Sequence, residues 1–470
     1  MLNFEKIEIL FIMNYVILKE NLIMVENNIL LTAKHIMFCD LEQIEKSAHI
    51  YSTFNTNELG YIKKNFCGLV LSNMDNINNL KISPDADIYI SGDIQTNIDI
   101  IRESENFTQT NKIYIIKEIS FNYDNLTNSN IKIIGLGMVP INIYGLGLYF
   151  RNFFDSMDEH GVKTNYFNSI EKEHVFQDLT ESNKQSNAFR KGIYITDVKQ
   201  TEQDNLEFYL MRSSTNFEGP VDNFRTQDNQ IISKVNAVVE NFFETKTNFN
   251  HVQAQIYYNY ANGSDGYSNT NLERKAKIKS HSDKTEDMDE KGLIAFCSFY
   301  QNYIGDDFTD AKDKSIAKSN TDLFDYIYGK NSTILTKLRF KLKKDVQSNL
   351  DLVKSFDLVL YPNSLFVIGL ETNRLYTHEI IPSNLFVDKI PTRIGYVIRC
   401  SKTKAIYSND KTYIISNNGN LTELVNVEPN DKRIEELKDI YYKENMTSEK
   451  VIYRFNNFSI NKGDYLKPIV

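Results

Sequence analysis

The 470-residue sequence predicts an α+β protein with a sheet-on-sheet barrel of the jelly-roll type, flanking helices and a smaller N-terminal α/β region. The main observation is the stretch from residue 252 to residue 408, where short apolar and aromatic runs alternate with polar turns and insertions. Such strands can pair over long sequence distances when they fold as two packed sheets. Before residue 140, by contrast, strand-like runs alternate with helical stretches.

The N-terminal part divides into an extension and a small α/β region. Residues 1–24 contain a short, interrupted apolar run with no cleavage site after it, so we expect an extension of little structural weight. Residues 25–140 form a region of unknown role that carries no recognisable catalytic cluster. The expected strands of this region are 87–90, 112–116 and 130–134. The expected helices are 41–49 and 97–102.

Residues 141–410 are expected to form the functional domain, and residues 411–470 a tail with one helix. Within the functional domain, the apolar positions of 227–243 recur at helical spacing, which predicts an amphipathic helix lying on a sheet. The expected strands of the core are 252–260, 293–299, 336–343, 356–361 and 364–369. The expected helix of the tail is 431–442.

Composition and charge exclude several classes of protein. The apolar fraction of 41% is typical of a folded chain, and the net charge of -9 gives no global attraction to a phosphate backbone. The four cysteines form no CxxC pair, which indicates thiols in a reducing compartment. We therefore expect an intracellular protein, in the cytoplasm or in a viral factory or virion, without a membrane partner.

The stretch 277–283 contains the first candidate metal ligands. His281 and Asp283 lie two residues apart, so on an extended strand their side chains point to the same face. His378 is the natural candidate for a third ligand from a distant strand. Two histidines and one carboxylate leave open positions on a metal, which is the arrangement of non-haem iron oxygenases. Alternatively, the three residues are a solvated pair at a strand end and a hydrogen-bonded surface histidine.

Two arginines and an acidic run complete the candidate residues. Arg393 and Arg399 are six residues apart, so a strand places both on one face, where they either bind a carboxylate or form structural ion pairs. Residues 286–290 lack the glycine and the oxygen spacing of a calcium loop, and we expect them to be a solvated acidic face.

The order of these residues resembles that of the 2-oxoglutarate/Fe(II)-dependent dioxygenases, and most closely their AlkB-like group. The resemblance rests on the strand 256–261, the His281-Ser282-Asp283 motif, His378 and the paired arginines, and it leaves out residues 1–135 and 411–470. It implies a double-stranded β-helix in residues 252–408 and an iron(II) ion held by His281, Asp283 and His378.

The resemblance also implies how the co-substrates, 2-oxoglutarate and O2, are bound. Arg393 would bind the distal carboxylate of 2-oxoglutarate, and Arg399 would lie near its metal-bound end or near Asp283. Tyr260 matches the tyrosine of the family that donates a hydrogen bond to 2-oxoglutarate. Tyr258 stands where the family has asparagine, which is a departure from the pattern.

We therefore expect an oxygenase that hydroxylates or oxidatively demethylates a C–H bond while it converts 2-oxoglutarate to succinate and CO2. The acidic run after the motif favours a protein side chain or a small molecule over nucleic acid as substrate, although a basic strip at 274–279 could contact nucleic acid. The alternatives are a catalytically inactive β-helix that serves as a binding or structural module, and a cupin-like metal site that works without 2-oxoglutarate.

Overall fold

The structure is a computed structural model that describes residues 32–39, 44, 56–71, 81–103, 107–123, 130–155, 164–180, 187–213, 217–244, 248–261, 273–301, 303–304, 307–308, 335–387, 390–416, 418–428 and 430–470. The described residues form a mixed α/β structure with many strands and few helices, which confirms the predicted combination of strands and helices. The chain divides into two compact units, Met1–Asn152 and Phe153–Val470. The predicted extension 1–24 and, apart from Ile44, the predicted helix 41–49 lie outside the described residues.

The first unit is built around a parallel sheet. Its described elements are β1 (Thr32–Phe38), α1 (Thr56–Asn65), β2 (Leu69–Leu71), β3 (Lys81–Asp93), α2 (Ile94–Glu103), β4 (Lys112–Phe121), β5 (Ile131–Ile134), β6 (Ile141–Ile143) and β7 (Gly147–Phe150). The first five strands pair in parallel in the order β2-β1-β3-β4-β5. Isoleucines on the buried face of α2 pack against this sheet. The predicted strands and the predicted helix at 97–102 are confirmed.

The second unit contains more strands than helices among its described residues. The helices are α3 (Tyr166–Glu173), α4 (Thr226–Phe242), α5 (Leu370–Leu375) and α6 (Lys432–Met446). The strands are β8 (Gln177–Thr180), β9 (Asn187–Thr196), β10 (Lys199–Gln200), β11 (Leu206–Leu210), β12 (Asp222–Asn223), β13 (His251–Tyr257), β14 (Asn259–Ala261), β15 (Glu273–Lys275), β16 (Ile278–His281), β17 (Leu293–Tyr300), β18 (Tyr303–Ile304), β19 (Asp307–Phe308), β20 (Lys337–Leu342), β21 (Ser355–Val359), β22 (Ser364–Gly369), β23 (Tyr376–Ile381), β24 (Arg393–Arg399), β25 (Thr403–Ser408), β26 (Lys411–Ile415) and β27 (Leu421–Glu423).

Two sheets of this unit position the candidate site. The major sheet has the strand order β12-β9-β13-β24-β17-β22, and the minor sheet has the order β16-β23-β20-β21. Their facing surfaces meet through aromatic rings, with Phe340 of the minor sheet 6.3 Å from Phe296 and 5.7 Å from Phe366 of the major sheet. A further sheet has the order β10-β11-β25-β26-β27.

Helices α3 and α4 cover the opposite, outer face of the major sheet. Tyr166 of α3 stacks on Phe299 of β17 with ring centroids 5.1 Å apart, and Tyr396 of β24 donates a hydrogen bond to Asp228 of α4. On β24, Tyr396 alternates with the residues that point between the sheets, so this strand presents different chemistry to its two faces. The predicted amphipathic helix on a sheet is therefore confirmed as α4.

Most predicted strands of the core are confirmed, with one change that matters for the site. The run expected as a single strand at 252–260 is interrupted at Tyr258, because β13 ends at Tyr257 and β14 begins at Asn259. The tail helix is confirmed as α6, which continues four residues beyond its expected end. None of the four cysteines is in a disulfide. Within the described residues, every helix is too short or too polar to qualify as a membrane span.

Candidate metal centre

The two candidate histidines face each other across neighbouring strands of the minor sheet. His281 ends β16, and its register partner on the antiparallel strand β23 is His378. The centroids of the two imidazole rings are 4.4 Å apart. Strand pairing therefore brings together two residues that are almost a hundred positions apart in the sequence.

Asp283 joins the two histidines from the segment that follows β16. We expected His281 and Asp283 to share one face of one strand, but the strand ends at His281, so the turn of the chain rather than strand alternation brings Asp283 in. Its Oδ1 atom lies 3.7 Å from the Nε2 atom of His281 and 3.7 Å from that of His378. Ligand atoms of the three residues all lie within 4.8 Å of one another, so together they could hold a metal ion.

Hydrogen bonding directs the Nε2 atom of His281 towards this centre. The Nδ1 atom of His281 lies 2.9 Å from the backbone oxygen of Lys279 and donates to it in the tautomer that leaves Nε2 as an acceptor. The His378 ring is packed between Phe296 and Phe340, with ring centroids 5.2 Å and 5.6 Å away. A hydrogen bond therefore fixes the His281 ring, whereas packing holds the His378 ring, whose Nδ1 has no hydrogen-bond partner among the described residues; Nε2 of each ring is directed at Asp283.

Arg399 and Asn373 fix the carboxylate and backbone of Asp283. The Nε atom of Arg399 donates to Oδ2 of Asp283 at 2.9 Å, and Nη2 forms an ion pair with the same oxygen at 2.9 Å, so the two histidines share the other oxygen. The side chain of Asn373 accepts from the Asp283 N–H at 2.9 Å and donates to its C=O at 3.0 Å. From the sequence we expected Arg399 near Asp283 or near the metal-bound end of 2-oxoglutarate. In the structure it contacts Asp283.

The surroundings give these groups the protonation states that a metal requires. Burial raises the pKa of Asp283, but the Arg399 guanidinium and then the two histidines outweigh it and hold the pKa below its usual range. Burial, with help from His281, lowers the pKa of His378 to about 3. Burial also lowers the pKa of His281, although Asp283 opposes that effect. A charged carboxylate beside two neutral imidazoles can coordinate a metal without first losing protons.

Arg393 is a buried cation without an acidic partner among the described residues. Its guanidinium lies 4.2 Å from the centroid of the Tyr257 ring, and Nη1 donates to Ser298 at 3.3 Å. The Nε and Nη2 atoms are buried, and no described residue forms a hydrogen bond with them. A Cβ atom on Gly395 would lie 3.0 Å from Nη1, so the guanidinium folds over this glycine, two residues further along β24. Its unpartnered N–H groups suit a carboxylate.

The structure also brings in residues that the sequence did not identify. Tyr257, in register with Arg393, supplies the aromatic face that the guanidinium covers, and Ser298 and Asn373 bind Arg393 and Asp283. The backbone of the expected residue Tyr260 lies on β14, but its side chain lies outside the described part of the chain. The missed signal was strand register, because Tyr257 pairs with Arg393 and so shares its face of the sheet.

The acidic run after the motif is only partly a solvated face: Glu290 is exposed as expected, but for Glu286 and Asp287 the expectation is wrong. Glu286 and Asp287 are buried, and Arg212 forms ion pairs with both of them. Arg212 is 75 residues before Asp287, so nothing local in the sequence indicated the pairing. Because these charges are neutralised inside the protein, they cannot form an acidic rim that repels a phosphate backbone.

A second histidine and carboxylate cluster lies on the outer face of the major sheet. His174 has Nδ1 2.8 Å from Asp222 and Nε2 2.8 Å from Asp228, and the Tyr396 hydroxyl donates to Asp228 at 2.7 Å. Burial lowers the pKa of His174, but the two carboxylates outweigh it and raise the pKa to about 9. Although Glu173, His174 and Asp228 are close enough to hold a metal, both ring nitrogens of His174 are already hydrogen bonded. We therefore assign this cluster as an ion network.

A cleft of about 810 Å³ lies elsewhere in the second unit. Its described lining includes Asn373, Thr285 and Glu444, but not the three candidate metal ligands or Arg393. The candidate site is therefore defined by its side chains and not by this cleft.

No family model and no curated protein matches the chain. Among solved structures, the chain is similar to a prolyl-4-hydroxylase from Pseudomonas putida, with 9% sequence identity and a TM-score of 0.24. The match covers 50% of this chain and 82% of the hydroxylase.

Proposed function

We propose that the protein is an Fe(II)- and 2-oxoglutarate-dependent dioxygenase that hydroxylates or oxidatively demethylates a C–H bond, with 2-oxoglutarate converted to succinate and CO2. One observation carries the proposal: among the described residues, a two-histidine, one-carboxylate centre lies between the same two sheets as a buried arginine with unpartnered N–H groups. Arg399 and Arg393, at the two ends of β24, connect these features.

The order of strands supports a double-stranded β-helix as the fold of residues 252–408. The chain moves between the two sheets from β13 (major) to β16 (minor), β17 (major), β20 and β21 (minor), β22 (major), β23 (minor) and β24 (major). Because strands that are consecutive in the sequence mostly belong to different sheets, neither sheet can form without the other. The two histidines come from the minor sheet, Asp283 from the segment that follows β16, and the arginines from the major sheet.

His281, Asp283 and His378 would hold the metal, and their donor set fits iron(II) with positions left open. When bound, the iron with 2-oxoglutarate and O2 supplies the oxidising chemistry. The protein contributes geometry: Arg399 holds Oδ2 of Asp283, which leaves Oδ1 for the metal, and the Lys279 carbonyl fixes the tautomer of His281. Phe296 and Phe340 keep water from the His378 side of the centre.

Arg393 would bind the distal carboxylate of 2-oxoglutarate. Its Nε and Nη2 atoms are available for two parallel hydrogen bonds, while Ser298 and the Tyr257 ring hold the guanidinium in one orientation. A buried guanidinium without a counter-ion is costly, so the bound dicarboxylate would supply the missing charge. The further roles of Arg399 near the metal-bound end of 2-oxoglutarate and of Tyr260 as its hydrogen-bond donor remain part of this proposal.

Within the superfamily we propose the AlkB-like group, on the six-residue spacing of Arg393 and Arg399 and on the contact of Arg399 with Asp283. As substrate we propose a protein side chain or a small molecule, which the net charge of -9 favours over a nucleic acid. An excess of oligonucleotide that inhibits turnover of 2-oxoglutarate would contradict this substrate class.

Oxygen-dependent formation of succinate tests the proposed activity. Purified protein with Fe(II), ascorbate and 2-oxoglutarate should release succinate slowly even without substrate, and the His378→Ala variant should release none. Metal binding without succinate in the wild-type protein would favour the cupin-like alternative. If neither metal nor 2-oxoglutarate binds, the inactive binding module is the correct reading.

A further inference from the structure

The tail that follows the two sheets contacts the metal-binding motif directly. Residues 282–288, which we call the metal loop, run from the middle residue of the His281-Ser282-Asp283 motif past the end of α6. The backbone N–H of Ser282 donates to Oδ1 of Asn445 on α6 at 2.9 Å. The residue between the two candidate ligands is therefore anchored by a side chain 163 positions further along the chain.

Lys284 makes the same connection from the other side of Asp283. Its ammonium donates to Oδ1 of Asn445 at 2.7 Å, to the backbone oxygen of Tyr441 at 3.1 Å and to the backbone oxygen of Ser282 at 3.2 Å. One oxygen of Asn445 thus accepts from two residues that bracket Asp283. A displacement of α6 would move Ser282 and Lys284 together and with them the carboxylate between them.

The end of α6 is built to receive cations from the sheets. A helix C-terminus carries unpaired carbonyl groups and a partial negative charge, which favour nearby ammonium groups. Lys284 binds the carbonyl of Tyr441, and the buried Lys343 binds those of Glu444 at 2.6 Å and Thr447 at 3.1 Å. Because each lysine is buried, undocking of α6 would leave two cations without their partners.

Glu444 adds a further link to the metal loop. Its Oε1 atom accepts from both the backbone N–H and the hydroxyl of Thr285, and its Oε2 atom accepts from Tyr453. The metal loop is therefore bonded to α6 at Ser282, Lys284 and Thr285, all within two residues of Asp283 on the loop. On the other side, Asn373 holds the backbone of Asp283 itself.

We propose that α6 is a positioning element of the metal centre and that Asn445 is the positioning residue through which it acts. Asn445 does not contact the metal; it fixes the backbone on either side of Asp283, so that the carboxylate meets the two histidines. The C-terminal tail is then part of the functional domain. This inference rests on the proposed function for its metal, but the anchoring of Ser282 does not depend on it.

The experiment compares Asn445→Ala with Asn445→Asp and with Asp439→Ala, an exposed position on the same helix. Asn445→Asp keeps an acceptor oxygen for Ser282 and Lys284, whereas Asn445→Ala removes it. Hydrogen exchange of the peptide that contains Ser282 is measured on metal-free protein, and affinity for Fe(II) or Co(II) is measured anaerobically on each full-length chain.

We expect the Ser282 amide to exchange faster in Asn445→Ala than in the wild type or in Asp439→Ala, because its acceptor is gone. Metal affinity should fall about 10- to 100-fold in Asn445→Ala, as is typical for partners that orient metal ligands, and should stay within about threefold in Asn445→Asp. A spectrum of bound Co(II) that is altered in Asn445→Ala but restored in Asn445→Asp would mark a change of geometry at the metal.

Each other outcome overturns the inference or a separate claim. Unchanged exchange in a folded Asn445→Ala, or faster exchange with unchanged metal affinity, contradicts the positioning role. If Asn445→Ala does not fold, Asn445→Gln, whose amide is displaced by one methylene, decides in its place, and wild-type metal affinity in that variant overturns the proposal. A wild-type chain that binds no metal contradicts the proposed function, whereas the anchoring of Ser282 is then judged by exchange alone.

Discussion

The two histidine and carboxylate clusters of the second unit use the same residue types for different ends. His281, Asp283 and His378 lie between the sheets, whereas His174, Asp222 and Asp228, the last of them on α4, lie on the outer face of the major sheet. In the inner cluster, two imidazole nitrogens converge on one carboxylate oxygen at 3.7 Å. In the outer cluster, both nitrogens of one imidazole are hydrogen bonded to carboxylates, each at 2.8 Å.

The difference indicates that pairing within the protein, and not residue composition, separates a candidate metal centre from an ion network. The outer cluster is closed, because a doubly hydrogen-bonded His174 is a cation between two anions. The inner cluster is open, because burial keeps both histidines neutral and Arg399 occupies only one oxygen of Asp283. Strand β24 serves both, with Tyr396 on one face and Arg399 on the other.

Removal of the shared carboxylate should break the inner cluster most severely. In Asp283→Ala we expect Fe(II) affinity to fall by more than about 100-fold, since even the loss of an outer partner of a ligand costs 10- to 100-fold. Anaerobic titration measures this. Asp357→Ala is the matched control, because it removes the partner of Arg339 in an ion pair outside the candidate site and should leave metal affinity unchanged. Wild-type affinity in Asp283→Ala would exclude Asp283 as a ligand.

The outer cluster should respond in stability instead. His174→Gln removes the positive charge between Asp222 and Asp228, and a buried charge left without its partner costs about 3–5 kcal/mol. We expect the free energy of unfolding in urea to fall by that order, while affinity for Fe(II) stays within about threefold of wild type. Loss of metal binding by a stably folded His174→Gln would reverse the assignment of the two clusters.

Substitution of Arg393 should weaken the binding of 2-oxoglutarate and not the binding of the metal. In Arg393→Met we expect affinity for 2-oxoglutarate to fall by about 2–5 kcal/mol, the usual cost of removing one partner of a buried charge pair. Stability without ligand should not fall, because the guanidinium has unpartnered N–H groups. Isothermal titration and thermal unfolding measure the two effects, with Arg339→Met as control. A large loss of stability with unchanged affinity would make Arg393 a structural cation.

The smallest effect is a pH dependence between pH 6.5 and pH 9, which of the two clusters only the outer one should show. The folded pKa of His174 is raised to about 9 from an ordinary value of 6.5, so its contribution to stability is complete below pH 6.5 and is lost as the pH rises towards 9. We therefore expect the stability difference between wild type and His174→Gln to shrink by about 3 kcal/mol over that interval. A difference that is constant from pH 6 to pH 9 would contradict a protonated His174.

Sequence patterns identified the inner cluster because part of its information is local. His281 and Asp283 are two residues apart, and Arg393 and Arg399 share one face of one strand. The outer cluster gave no such signal, because His174 is 48 residues from Asp222 and 54 from Asp228. The role of Asn445 was not predictable for the same reason, because it is 163 residues from Ser282.

The fold followed the same rule. Strands such as β17, β22 and β24 were predictable from apolar runs, and α4 from its periodicity. The break at Tyr258 was not, because a short interruption between two β-rich runs leaves their composition unchanged. Nor was the burial of Asp287, which depends on Arg212 from a distant loop.

The most direct test of the open inner cluster is an anaerobic titration of the wild-type protein with Fe(II) and 2-oxoglutarate, followed by the visible charge-transfer band of the complex. We predict one metal per chain, a band that appears only when both are present, and its absence in Asp283→Ala but not in His174→Gln. A wild-type protein that binds no Fe(II), although His281, Asp283 and His378 are intact, would contradict the assignment of the metal centre.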